Sequence, residues 1–311
     1  MSALKKALRE YLLLRRSLGF KLERVGSLLY GFVEFLEKEK ASYITTKLAL
    51  KWATRSVDVQ PARWAARLGT VRLFAKYLSA SDSRTEIPPE GLLPYRYKRK
   101  QSYIYTDDDI IKLLAAARKL KSGRGLLSHT METLLGLLAV TGMRISEAIN
   151  LDRKDVDLGQ GIITVCQTKF GKSRLLPVHI STIDKLGQYD RIRDRICPAP
   201  QSPAFFVSEH GSRLINWTVR RWFVILSHRI GLRSPGDTHG PRLQDMRHRF
   251  ALLTLLEWYR QGVCVGKNMV ALKTYLGHGS ITNTYWYISA NPELLMLAAL
   301  RLKEKKGELI L

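Results

Sequence analysis

Apolar residues recur at steps of three and four along most of this 311-residue chain, and this spacing constrains the fold more than any other feature. It places apolar side chains on one face of each helix, which must then be buried against other helices. Residues 4–81 are predicted to form a bundle of four or five short helices. The pattern stops over residues 81–102, a proline-containing stretch. We therefore predict a helical domain at 1–94, a basic linker at 95–103 and a second domain at 104–311.

The second domain shows helical and strand-like patterns. Thr106, followed by three aspartates, predicts a helix N-cap with acidic residues in the first turn. Over residues 156–178 apolar and polar residues alternate, β-branched residues are frequent, and glycines interrupt the pattern. This is typical of two or three antiparallel strands. The predicted fold class is therefore mainly α with a small antiparallel β-sheet. Helices are predicted at 110–119, 127–140, 180–196, 216–230, 244–260 and, at the C-terminal end, 292–306.

The chain is strongly basic, with 51 Lys and Arg against 27 Asp and Glu and a net charge of +24. This excess favours a polyanionic partner, and nucleic acid above all. A ribosomal-type or membrane-surface protein is the alternative, but the charge is spread over well-patterned helices. Basic residues of the first domain form either solvated helix faces or faces that contact DNA phosphates. A basic run in the linker would suit a segment lying along a phosphate backbone; its charged residues are Arg96, Lys98, Arg99 and Lys100.

The lengths of the apolar runs and the spacing of the cysteines disfavour a membrane, a metal ion and an oxidising compartment. No apolar run approaches the roughly 20 residues needed to span a bilayer, so no membrane association is expected. The three cysteines are far apart and show no zinc-ligand spacing, so neither a disulfide framework nor a metal site is predicted. They are most simply thiols in a reducing cytoplasm.

Two arginines stand at predicted helix starts. Arg144 follows the turn Thr141-Gly142 and precedes Glu147 by one helical turn, and Arg247 lies near the start of the long helix at 244–260. A helix N-terminus attracts anions, and a guanidinium binds a phosphate through two parallel hydrogen bonds. Both arginines are therefore candidate phosphate ligands. The alternative for Arg144 is a surface ion pair with Glu147, which would contribute little.

A predicted hairpin turn at 168–174 carries further positive charge. Lys169 at the tip of a hairpin could present its ammonium to a leaving oxygen as a general acid. The alternative is solubilising charge, which is the commoner role of lysines in turns. Lys172 and Arg174, on the same turn, are predicted to contact DNA.

A glycine–histidine pair, Gly277-His278, stands nine positions before Tyr287, in a polar segment between two helical patterns. A tyrosine hydroxyl is a competent nucleophile toward a phosphate. The alternative is that the aromatic residues here simply contribute to packing. Tyr285 is the rival nucleophile, two positions earlier.

These motifs, taken in their order, resemble those of tyrosine recombinases, the phage integrase and Xer-like family. The resembling segments extend from residue 141 to residue 287, nearly all of the predicted second domain; they are Thr141–Glu147, Thr168–Val178, Asp245–His248 and Leu276–His278 with Tyr287. The resemblance implies a helical N-terminal core-binding (SAM-like) domain and a tyrosine-recombinase catalytic domain.

The resemblance also implies a role for each site residue. Tyr287 would attack the scissile phosphate, giving a 3′-phosphotyrosyl link and a free 5′-hydroxyl. Arg144 and Arg247 would hold the non-bridging oxygens and stabilise the charge of the transition state. Lys169 would protonate the leaving 5′-oxygen, and His278 would add a hydrogen bond to the phosphate. No metal and no nucleotide cofactor are expected.

One position departs from the family pattern. The family usually has a histidine three places before its second arginine, where this chain has Gln244. Glutamine donates a hydrogen bond but cannot transfer a proton near neutral pH. We therefore expect weakened acid–base assistance to Tyr287, without necessarily a loss of activity. His239, in the preceding loop, is a candidate substitute, and Glu147 would orient the first arginine or the lysine.

The resemblance implies a site-specific recombinase or integrase of a mobile element that acts on double-stranded DNA, with integration, excision, inversion and transposition all left open as the outcome. It would work as a homotetramer whose C-terminal helix, 292–306, is exchanged between protomers, with accessory recombination proteins as further partners. A bacterial, cytoplasmic and nucleoid-associated protein is expected. Two alternatives stay open: a DNA-binding accessory protein whose catalysis has decayed at Gln244, and a type IB topoisomerase.

Overall fold

The structure is a computed structural model, and it describes residues 2–96, 102–166, 173–237, 239–278, 280 and 292–308, without the side chains of 23 and 301–308. The chain divides into two compact units, Met1–Lys100 and Gln101–Leu311. Mainly helical structure with a small antiparallel sheet was predicted and is confirmed. Among the described residues, no helix is long and apolar enough to cross a membrane.

The first unit is a bundle of four helices within its described residues, as the apolar spacing predicted. Their apolar faces form one core, in which Leu8, Phe32 and Phe74 are fully buried. The Thr45 hydroxyl accepts a hydrogen bond from the backbone N–H of Leu48 and caps the third helix. The helices are α1 (Ala3–Ser17), α2 (Glu23–Lys38), α3 (Thr46–Ala53) and α4 (Pro61–Leu78).

Several basic side chains of this unit have internal partners. The Arg67 guanidinium lies 4.3 Å from the centroid of the Trp52 ring. Arg72 donates hydrogen bonds to the carbonyls of Pro88 and Pro89, both at 2.6 Å. These two arginines therefore stabilise the bundle, and only part of its positive charge is presented to solvent.

The second unit surrounds its core with helices and a small sheet. Helix α6 lies at the centre, with Leu134 and Leu135 fully buried. Thr106 caps the first helix of the unit as predicted, because its hydroxyl accepts from the backbone N–H of Asp109. The helices are α5 (Asp107–Arg118), α6 (Leu126–Thr141), α7 (Ile145–Ile149), α8 (Ile180–Ile196), α9 (Asn216–Arg229), α10 (Leu243–Arg260), α11 (Val265–Leu276) and α12 (Pro292–Glu308).

The sheet consists of β1 (Val156–Asp157), β2 (Ile162–Val165) and β3 (Arg174–Pro177), antiparallel in the order β1-β2-β3. Ile163 pairs with Leu176, and both side chains are fully buried in the core. Strand β3 also contacts α11. Strand β3 therefore lies beside the helix that precedes His278.

A smaller apolar cluster joins α10, α11 and α12. Leu255 of α10, Met269 of α11 and Leu294 of α12 are fully buried in it. At the edge of this cluster, Arg260 and Glu293 form an ion pair at 2.8 Å. The C-terminal helix therefore lies against α10 of its own chain.

Candidate active site

The turn between α6 and α7 positions the first arginine. Gly142 ends α6 with φ +62°, a backbone conformation that glycine adopts without strain. A Cβ at this position would lie 2.8 Å from a ring carbon of Phe250, so the close approach of α10 also requires glycine. Arg144 then occupies the N-cap position of α7.

Glu147 forms an ion pair with this arginine, and the Glu147 side chain is buried. Nη1 of Arg144 donates to Oε1 of Glu147 at 2.6 Å, and the backbone N–H of Arg144 donates to Oε2 at 3.0 Å. The Glu147 side chain is only 7% exposed, so this is not a surface ion pair. Burial alone would raise the pKa of Glu147, but hydrogen bonds from Arg174 and from the Arg144 backbone outweigh burial and hold this pKa below its ordinary value.

Arg247 reaches the same place from the first turns of α10. Its side chain is buried, and Nη1 donates to the Gly142 carbonyl at 2.9 Å while Nη2 donates to the Leu276 carbonyl. Nη2 of Arg144 donates to the neighbouring carbonyl, that of Gly277, at 3.3 Å. Two guanidinium groups 103 positions apart in sequence (247 − 144) are thus held on consecutive carbonyls of one turn.

The same turn carries His278. Gly277 ends α11 with φ +65°, and the backbone N–H of His278 donates to the Lys273 carbonyl at 3.0 Å. Burial, followed by the positive charges of Arg247, Arg144 and Arg174, lowers the pKa of His278 to about 3. The imidazole is therefore neutral at physiological pH. It offers a hydrogen bond but no positive charge.

A cleft of about 400 Å³ lies in front of the two arginines. Gln244 is exposed and lines it together with Arg144 and Arg247. Three further arginines that the sequence analysis did not single out also line the cleft: Arg220, Arg233 and Arg242. This concentration of guanidinium groups makes the cleft electrostatically suited to an oxyanion such as a phosphate.

Arg242 is held in place by the first turn of α10. Its Nη2 donates to Oδ1 of Asp245 at 2.7 Å, and its backbone N–H donates to Oδ2 at 2.8 Å. The Asp245 side chain is 2% exposed, whereas that of Arg242 is 52% exposed. The local signal for this pair is an aspartate three residues after a helix-starting arginine, a capping spacing that also occurs at Arg144 and Glu147.

One predicted DNA contact must be corrected. Arg174 is not presented to a partner, because its side chain is only 8% exposed and donates to both oxygens of Glu147 and to the Tyr275 carbonyl. The position on a hairpin suggested exposure, but β3 is covered by α11. Arg174 is therefore buried beside Glu147, at a position that its place on a hairpin did not indicate.

The remaining predicted residues fall into two groups. Arg96 is exposed, and His239 is exposed in the loop before α10. The others lie outside the described residues: Lys98, Arg99, Lys100, Lys169, Lys172, Tyr285 and Tyr287. Among the residues that are described, no group of three or more His, Cys, Asp or Glu is arranged to hold a metal ion.

Comparison with known proteins gives consistent matches. The model of the phage integrase family matches residues 104–293. The chain is 45% identical over 309 residues to the putative integrase/recombinase y4rB of Sinorhizobium fredii, and the match covers 98% of each protein.

Two solved structures are similar in fold. One is the integrase of the transposon Tn1549 in complex with transposon right end DNA, with a TM-score of 0.64 and 15% identity over 96% of this chain and 98% of that one. The other is a lambda integrase tetramer bound to a Holliday junction, with a TM-score of 0.62 and 19% identity over 90% and 78% of the two chains.

Proposed function

Because this chain belongs to the phage integrase family of tyrosine recombinases, we propose that it is a site-specific recombinase of a mobile element. It cleaves and rejoins DNA strands through a 3′-phosphotyrosyl intermediate. The observation that carries this proposal is the pair of guanidinium groups, Arg144 and Arg247, held on consecutive carbonyls beside one basic cleft. This arrangement suits a phosphate whose negative charge grows as the reaction proceeds.

In the proposed reaction, the hydroxyl of Tyr287 releases its proton to water, its oxygen forms a bond to the scissile phosphorus, and the bond from phosphorus to the 5′-oxygen breaks. Arg144 and Arg247 hold the non-bridging oxygens. Lys169 gives a proton to the leaving 5′-oxygen. Rejoining reverses these steps, with a 5′-hydroxyl as the attacking group and Tyr287 as the leaving group.

His278 and Gln244 support the phosphate without carrying charge. Burial and the neighbouring arginines lower the pKa of His278 to about 3, so its imidazole is neutral at physiological pH and donates its one N–H to the phosphate. Gln244, exposed in the cleft, donates through its amide. Attack by Tyr287 is therefore assisted mainly by electrostatic stabilisation of the phosphate.

Double-stranded DNA is the proposed partner. The net charge of +24 and the similarity in fold to integrases solved on DNA support this choice. We assign binding of the core DNA site to the first unit. Contacts with the DNA phosphate backbone are assigned to the linker, which includes the exposed Arg96. The lambda integrase tetramer bound to a Holliday junction supports a tetrameric assembly on DNA. We also propose that α12, which packs against α10 of its own chain, docks on a neighbouring protomer in that assembly.

A nicked suicide substrate tests the proposal. Its sequence would come from footprinting of the DNA that flanks the protein's own gene. We expect a covalent protein–DNA adduct with the wild-type chain, loss of the adduct in Tyr287→Phe, and an adduct in Tyr285→Phe. The second variant is the matched control, because it removes the same hydroxyl from a tyrosine two positions away.

The other outcomes identify the alternatives. Gln244, which occupies the cleft where a proton-transferring histidine is usual, favours a DNA-binding accessory protein as the second candidate. Specific binding to the footprinted site without any adduct would support that candidate and contradict the proposed chemistry. Relaxation of arbitrary supercoiled plasmid, without site preference, would instead indicate a topoisomerase.

A further inference from the structure

Arg174 is a buried charged residue that the proposed reaction does not use. It opens β3, and its side chain is 8% exposed. Burying a guanidinium is costly unless it is paired and hydrogen-bonded. Arg174 does not line the cleft that contains Arg144 and Arg247. Its position is therefore explained by what it holds inside the protein.

The hydrogen bonds of Arg174 join three elements. Nη1 and Nη2 donate to the two carboxylate oxygens of Glu147 on α7, at 3.2 and 2.8 Å. Nε donates to the carbonyl of Tyr275 in the last turn of α11, at 2.8 Å. This planar set of donors links β3, α7 and the helix end before His278, and a lysine could not reproduce it.

Glycine at position 277 makes room for this guanidinium. A Cβ there would lie 2.8 Å from Nη1 and 3.0 Å from Cζ of Arg174. Arg174 thus lies directly against the turn that also accepts hydrogen bonds from Arg144 and Arg247.

Charge adds a second effect. Glu147 accepts hydrogen bonds from both Arg144 and Arg174, so one carboxylate is shared between two guanidinium groups and the cluster keeps a net positive charge. Without Arg174, the same carboxylate would neutralise Arg144 alone. Arg144 would then have less charge to offer a phosphate.

We propose that Arg174 is a positioning residue for strand cleavage, which holds Glu147, and through it Arg144, in register with the turn that carries His278. The inference rests on the proposed function, because it assigns a role within the cleavage reaction. Arg174 does not touch the DNA. It keeps the Arg144 guanidinium oriented toward the phosphate. It also shares the negative charge of Glu147, so that this carboxylate does not neutralise Arg144 alone.

Single-turnover cleavage of the suicide substrate tests this role in Arg174→Gln and Arg174→Lys. We expect Arg174→Gln to cleave ~100-fold more slowly, since displacement of a catalytic group by about 1 Å has an effect of that order. Arg174→Lys should be intermediate, and the affinity for DNA should change little in either variant. The folded fraction of each variant is measured by circular dichroism, and cleavage rates are compared per folded molecule. If Arg174→Gln does not fold, the rate of Arg174→Lys decides the test.

Arg193 provides the matched control. It is another buried arginine, 1% exposed, paired with Asp190 and Asp194 on α8 and distant in sequence from the site motifs. Arg193→Lys should lower the melting temperature and leave the cleavage rate per folded molecule unchanged. Equal slowing in Arg193→Lys and Arg174→Lys would reduce Arg174 to a general structural role.

The double variant Glu147→Gln with Arg174→Gln separates positioning from stability. Because Arg174 acts through Glu147, we expect the double variant to cleave no more slowly than Glu147→Gln alone, whereas slowing by the product of the two single effects would show that Arg174 acts independently of Glu147. A wild-type rate in Arg174→Gln would overturn the inference and leave the proposed function intact. Absence of any adduct with the wild-type chain would overturn the proposed function, and the inference with it.

Discussion

At the scale of single residues, His278 gives the site a measurable pH signature. Its pKa is lowered from 6.5 to about 3 by burial and by the neighbouring arginines. Between these two values the unfolded chain binds more protons at this residue than the folded chain does. The free energy of unfolding must therefore fall as the pH falls below 6.5, by at most ~1.4 kcal/mol per pH unit and by less for a partly exposed group.

Replacing His278 by asparagine removes this titration. We expect the wild-type protein to lose more stability than His278→Asn when the pH is lowered from 7.5 to 5.0, because only the wild-type unfolded chain gains a proton at this position. Urea unfolding of both proteins at the two pH values measures the difference. A stability difference between the two proteins that stays constant with pH would show that His278 has an ordinary pKa in the folded state.

At the scale of structural elements, the turn that ends α11 holds the site together. Its glycine has φ +65° and no room for a Cβ beside Arg174, whereas Gly262, after α10, has φ +72° and no atom within 4 Å of a Cβ. Alanine at either position costs about 1–2 kcal/mol of backbone strain. Only Gly277→Ala should also displace Arg174.

We therefore expect backbone strain to lower the free energy of unfolding by a similar amount in Gly277→Ala and Gly262→Ala. The two variants should differ in their rate of DNA cleavage. Cleavage should fall ~100-fold in Gly277→Ala, through displacement of the groups that hold the phosphate, and stay near the wild-type rate in Gly262→Ala. Thermal unfolding and single-turnover cleavage measure the two effects. Equal cleavage rates in the two variants would show that the turn tolerates a side chain.

The same elements show what the sequence could predict. Thr106 and the helix starts at Arg144 and Arg247 were found because capping residues and apolar spacing are local signals. The pairing of Arg174 with Glu147 spans 27 residues and that of Arg144 with Gly277 spans 133. No local pattern encodes such contacts, which arise when β3, α7 and α11 meet. For that reason Arg174 was predicted to contact DNA and was found inside the protein.

At the scale of the whole molecule, α12 lies against its own chain, although the proposed assembly exchanges it between protomers. Leu294 is fully buried against α10 and α11, while Leu295, Met296 and Leu300 of the same helix are 50%, 58% and 49% exposed. The docking site of α12 is therefore filled without a partner. Exchange would replace one copy of Leu294 by an identical one, at little net cost in buried area.

Stability measured without DNA distinguishes the two arrangements. If α12 docks on its own chain, the melting temperature should not change over a ~100-fold range of protein concentration, whereas exchange between chains would make it rise with concentration. Leu294→Ala should cost ~2–5 kcal/mol because it leaves a cavity between α10 and α11. Met296→Ala, on the exposed side of the same helix, is the control and should stay within ~0.5 kcal/mol of the wild-type protein. A melting temperature that rises with concentration, and rises less in Leu294→Ala, would place α12 on a neighbouring chain even before DNA is bound.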